Sequence, residues 1–124
     1  MTNFPSDADQ LTQLIQKVDQ FALERDWGQF HTPKNLAMAL TVEAAELLEL
    51  FQWEEGAAGI SNFTVAKREA VGNEVADVFV YLLRFCSITG IDVLDVANRK
   101  LKQNAIKYPV ELSKGSSKKY DELK

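Results

Sequence analysis

The chain is 124 residues long, 46% hydrophobic and 26% charged, the profile of a single globular domain with a real core and no room for a second. Lys plus Arg is 14 against 18 for Asp plus Glu, a formal charge of −4; this argues against a nucleic-acid backbone as partner but leaves room for a nucleotide bridged by a metal ion. Six glycines and three prolines are few for an all-β or disordered chain and suit a helical one.

Helical periodicity starts near Asp7. Leu11, Leu14, Ile15, Val18, Phe21 and Ala22 recur at three- and four-residue steps and predict one apolar face over residues 7–25, with Ser6 or Asp7 as cap. Asp26-Trp27-Gly28-Gln29-Phe30-His31 breaks the pattern and reads as a loop rich in aromatics. Thr32-Pro33 is a cap followed by proline at the first helical position. A second helix is expected from Pro33 to about Glu54, apolar almost all round and therefore central and buried. Gly56 to Asn62 is the next break. The third helix is expected from Phe63 or Thr64 to Thr89, stopped by Gly90. Asp92 is placed to cap a fourth from Val93 to about Lys107, ended by Pro109. No segment alternates like a strand, so the fold class is all-α, with four helices in one domain over residues 1–110 and a polar, flexible tail over 111–124.

Cys86 is the only cysteine, so neither an intrachain disulfide nor a cysteine-based metal site can form, and a cytoplasmic location is expected. Met1 to Ser6 has no basic or apolar region of a signal peptide. The longest apolar run, Val78 to Leu83, is far short of the roughly 20 residues of a membrane span. His31 is the only histidine, which excludes a di-iron bundle built on paired Glu-x-x-His motifs.

The informative residues are acids inside the two most apolar helices. Glu43 and Glu46 are three apart, as are Glu74 and Asp77, and residues at that spacing share a helix face. A buried, unpaired carboxylate is costly and is normally paired, protonated or bound to metal. Lys67, Arg68 and Arg84 are too few to pair with all four acids, whereas a hard divalent cation takes oxygen ligands. Solvated stripes on amphipathic helices are the competing reading. Trp27, Phe30, His31, Trp53 and Tyr81 can wall a slot for a nucleobase or plug a core. Lys100, Asn104 and Lys107 are helix-spaced and can hold phosphate oxygens or simply face solvent.

Three stretches together resemble the MazG-like all-α nucleotide pyrophosphohydrolases, in particular the dCTP pyrophosphatase branch. They are Trp27 to Leu36 (WGQFHTPKNL), Glu43 to Trp53 (EAAELLELFQW) and Glu74 to Leu82 (EVADVFVYL), and the ending from Asn104 to Lys119 is similar too. The resemblance implies a Mg²⁺ site made by Glu43, Glu46, Glu74 and Asp77. It implies a nucleotide pocket made by Trp27, Gly28, Gln29, Phe30, His31, Trp53 and Tyr81, with Lys100 and Asn104 toward the phosphates. Glu46 or Glu49 would activate water. Val18 stands where the animal dCTP enzymes have a histidine, which bears on base preference.

The implied reaction is Mg²⁺-dependent hydrolysis of a (deoxy)nucleoside triphosphate, dCTP or a related pyrimidine nucleotide, to monophosphate and pyrophosphate. The implied role is cleansing of the nucleotide pool, and the implied assembly is a homo-oligomer, a tetramer built from dimers. The alternatives are another substrate, such as dUTP or a phosphoribosyl-ATP-like molecule, and a non-catalytic helical oligomer or adaptor.

Overall fold

The structure is a computed structural model that describes residues 9–54 and 63–123. The described residues are helical with no strand. Helix α1 spans Gln10–Glu24 and is capped by Asp9, whose carboxylate accepts from the Thr12 amide at 2.7 Å. The cap therefore lies two or three residues later than expected; Ser6 and Asp7 fall outside the described residues. The predicted loop begins at Asp26, in the left-handed region at φ 53°, a conformation aspartate tolerates better than most residues. It then tightens into a single 3₁₀ turn, Trp27–Gln29.

Helix α2 spans Pro33–Glu49, opened by Thr32, which accepts from the Asn35 amide at 3.1 Å. It ends earlier than the expected Glu54. Bonds of i to i+3 type tighten the chain there, from Leu50 to Leu47 and from Phe51 to Leu48, and the Lys67 ammonium takes the Leu50 carbonyl as its acceptor. The same ammonium lies 3.4 Å from the Glu54 carboxylate and 4.7 Å from the Phe51 ring centre. A contact from a distant residue thus satisfies the carbonyl that another helical turn would have used.

Helix α3 spans Val65–Thr89, with Thr64 as cap and Gly90 at φ 72° as its left-handed stop. Helix α1 and helix α2 both pack on α3. The residues most shielded from solvent come from all three: Ala22, Leu36, Leu83 and Cys86. Helix α2 was expected to be buried, yet Leu36 is its one buried residue, and Met38, Val42 and Leu48 are exposed. Its packing is mainly against α3, and among the described residues Ala39, Leu40 and Leu47 are half-buried.

The chain divides into two compact units, Met1–Gly90 and Ile91–Lys124. In the second, α4 spans Val93–Lys107, capped by Asp92 through the Asp95 amide at 3.1 Å. A fifth helix not foreseen from the sequence, α5, makes one turn over Val110–Ser113, and a 3₁₀ turn follows at Tyr120–Glu122. Tyr120 meets Tyr108 edge-on at 6.5 Å, with the Lys107 ammonium 5.0 Å from its ring centre. These contacts give the polar tail local structure that its composition did not reveal. No helix among the described residues is long and apolar enough to cross a membrane.

Candidate active site: an acidic cluster beside an aromatic cavity

Helical spacing sets Glu43 and Glu46 on one face of α2, and α3 brings Glu74 to meet them. Carboxylate oxygens of the three lie within 4.8 Å of one another. One oxygen of Glu43 and one of Glu74 are shut off from solvent with no hydrogen-bond partner. Among the described residues no basic side chain pairs with Glu43, Glu46, Glu74 or Asp77: Lys67 is held by Glu54, and Arg84 by Asp19. The cluster answers to this crowding electrostatically. Hydrogen bonding from Glu46, then burial, then hydrogen bonding from Glu74, then the charges of Glu46 and Asp77 push Glu43 up to about 7. A site of this kind fits a hard divalent cation, which would supply the missing charge and use the orphaned oxygens.

Next to the cluster is a cavity of about 410 Å³ in the first unit, lined by residues of α1, the 3₁₀ turn, α2 and α3. That volume is within the usual range for small-molecule sites. Glu43 and Asp77 reach its wall, linking it to the acids, and Lys17, His31, Tyr81 and Arg84 supply the other polar groups. Val18, Phe21, Ala22, Trp27 and Val80 make it apolar. Trp27 is held edge-on by Phe21 at 5.6 Å and by His31 at 6.1 Å.

Of the residues singled out from the sequence, Trp27, His31, Glu43, Asp77 and Tyr81 therefore share one cavity. Gly28, Gln29 and Phe30 lie in the adjoining turn and are exposed; the Gln29 amide folds back onto Asp26, and the Phe30 carbonyl takes the Asn35 amide at 3.0 Å. Glu49 is exposed on the last turn of α2. Trp53 is 87% exposed and stands away from the cavity lining. Lys100 and Asn104 belong to α4 in the second unit, the first exposed and the second half-buried.

Sequence reasoning missed one polar network. Arg84 Nε donates to His31 Nδ1 at 2.9 Å, and its Nη1 meets Asp19 Oδ1 at 2.9 Å. Ser87 Oγ donates to the other Asp19 oxygen at 2.5 Å. Burial first, and then the Arg84 charge, hold His31 below its ordinary value. The only local signal was the pair of polar residues Arg84 and Ser87 three apart on an otherwise apolar stretch of α3.

Known proteins resemble the chain in sequence and in fold. The MazG-like family model matches residues 38–123. The chain is 41% identical to human dCTP pyrophosphatase 1 over 105 residues, 84% of this chain and 62% of that protein. It is 42% identical to the rat dCTP pyrophosphatase 1 over the same share of each. It thus spans 62% of the length of these relatives. A crystal structure of a pyrophosphatase from Archaeoglobus fulgidus superposes with a TM-score of 0.78 at 34% identity, covering 86% of this chain and 99% of that one. With the acidic cluster on α2 and α3 and the all-helical fold, these matches establish that the chain belongs to the MazG-like family.

Proposed function

We propose that the protein hydrolyses a deoxynucleoside triphosphate, dCTP or a related pyrimidine nucleotide, to the monophosphate and pyrophosphate. The observation that carries this reading is the meeting of unpaired carboxylates and an aromatic-lined cavity at one place. The dCTP pyrophosphatase relatives add the substrate class.

Glu43, Glu46, Glu74 and Asp77 are the residues that would hold Mg²⁺, which when bound neutralises triphosphate charge and charge developing at the α-phosphorus. Trp27 offers its ring to the base, and Tyr81 faces the sugar, where its bulk disfavours a 2′-hydroxyl. Glu46, or Glu49 one turn on, takes a proton from the attacking water. The new bond joins water oxygen to the α-phosphorus, the bond to the α–β bridging oxygen breaks, and pyrophosphate leaves with the electron pair. The role is removal of surplus or modified nucleotides from the cytoplasmic pool.

The exposed apolar residues of α2, Met38, Val42 and Leu48, support assembly with further copies of the chain as a dimer of dimers. Light scattering on the purified chain tests this, and a monomer at micromolar concentration refutes it.

The enzymatic reading is tested by pyrophosphate release over a panel of canonical and modified nucleotides, with and without Mg²⁺. Glu46→Ala and Asp77→Ala should each abolish the Mg²⁺-dependent release while the far-ultraviolet spectrum stays helical. Unchanged turnover in both variants removes the acids from the reaction.

A further inference from the structure

The network behind the cavity wall has a directional logic. An arginine side chain has donors only and keeps its charge at every working pH. The Arg84 Nε bond to His31 Nδ1 therefore requires a lone pair on that nitrogen. The neutral ring must then carry its proton on Nε2, the nitrogen outside this network. Arg84 is itself held, because Asp19 takes its Nη1 and Ser87 takes the second Asp19 oxygen. The Arg84 side chain is 14% exposed and the Asp19 side chain 35%, so it is the arginine end of the clamp that is shielded from water. His31 and Arg84 both line the cavity, and the Trp27 ring packs on His31.

We infer that Arg84, braced by Asp19, is a positioning residue that holds His31 as a neutral hydrogen-bond donor through Nε2, directed to an acceptor atom on the nucleobase. This rests on the functional reading above and adds a base-reading element to it. Cytosine offers such acceptors at its carbonyl oxygen O2 and its ring nitrogen N3. An edge presenting only N–H groups to His31 is disfavoured, because donor would face donor.

His31 is the sole histidine, so its ring nitrogens can be read without assignment in ¹⁵N-labelled intact protein. The expected spectrum has Nδ1 as the unprotonated nitrogen and Nε2 as the protonated one, and adding dCMP should shift the Nε2 resonance. His31→Phe should raise KM for dCTP by about 2- to 12-fold, the loss of one neutral hydrogen bond, with kcat within about threefold. His31→Gln, which keeps an amide donor at similar reach, should recover most of that loss. Arg84→Leu should displace the Nδ1 resonance and raise KM in the same direction. If that variant does not fold, Arg84→Lys keeps the charge beside Asp19 but lacks the two-pronged fork and should show the same displacement.

A proton on Nδ1 in the intact protein overturns the inference, as does an Arg84→Lys spectrum identical to the parent. Hydrolysis of dCTP with no response of His31 to nucleotide overturns it while the enzymatic reading stands. A His31 response to dCMP without hydrolysis of any triphosphate keeps the inference and overturns the enzymatic reading.

Discussion

Replacing Trp27 by alanine separates base binding from chemistry. The ring lines the cavity and is 42% exposed, with edge contacts to Phe21 and His31. Those contacts leave ring surface for a base. Stacking of a base on an aromatic side chain is worth about 1–3 kcal/mol by alanine substitution. At about 1.4 kcal/mol per factor of ten, the full range is roughly 5- to 140-fold in KM. Because part of the ring is already solvated without substrate, the middle of the range applies, roughly 2 kcal/mol or about 30-fold. Trp27 lies outside the acidic cluster, so kcat should stay within about threefold. Pyrophosphate release at saturating Mg²⁺ over a dCTP titration measures both constants. Trp27→Phe should recover more than half of the loss in binding free energy. A KM unchanged in Trp27→Ala, or a fall confined to kcat, refutes the base-stacking argument; circular dichroism and melting checks confirm that the variant is folded.

Glu43 also sets a pH dependence. Its folded value is raised from 4.5 to about 7, so between those values the folded chain binds more protons than the unfolded one. The stabilisation is full below about 4.5 and is lost as pH rises through about 7. Metal-free protein should therefore melt at a lower temperature at pH 8 than at pH 5.5, and millimolar Mg²⁺ should raise the melting point at pH 8 far more than at pH 5.5. Scanning calorimetry checks this, and a Mg²⁺ effect equal at both pH values contradicts it. Leu83 is 0% exposed in the C-terminal half of α3, and Leu83→Ala should cost about 2–5 kcal/mol, lowering the melting temperature by roughly 10 °C or more. A drop under about 3 °C would show that the cavity collapses or that Leu83 is not a core residue.

Local rules carried much of the fold. The caps Thr32 and Asp92 and the stop at Gly90 were legible because each acts within four residues of itself. The i, i+3 spacing that aligns Glu43 with Glu46 is local too, and α3 needed only to lie against α2 for Glu74 to join them. The end of α2 was not legible, because Lys67 binds the Leu50 carbonyl from 17 residues away. The Asp19–Arg84–His31 network joins residues 65 and 53 positions apart, beyond the reach of any periodicity. Trp27 and Trp53 looked equivalent as aromatics near helix ends; only tertiary structure sets the first against a cavity and leaves the second in the open. The burial expected of α2 came from its composition, which records that a helix has apolar surface but not whether the fold turns that surface inward.

Cys86 lies in α3 at 6% exposure, and burial pushes its thiol up. As the only sulfhydryl in the sequence, it is a native probe of breathing in the protein interior. An alkylating reagent can reach it only when the surrounding helices part, so the labelling rate reports how often they do. Slower labelling in the presence of Mg²⁺ and nucleotide would measure, without any added dye, how tightly the loaded site clamps the helices that bear it. The same seclusion spares the thiol from oxidants that consume exposed cysteines.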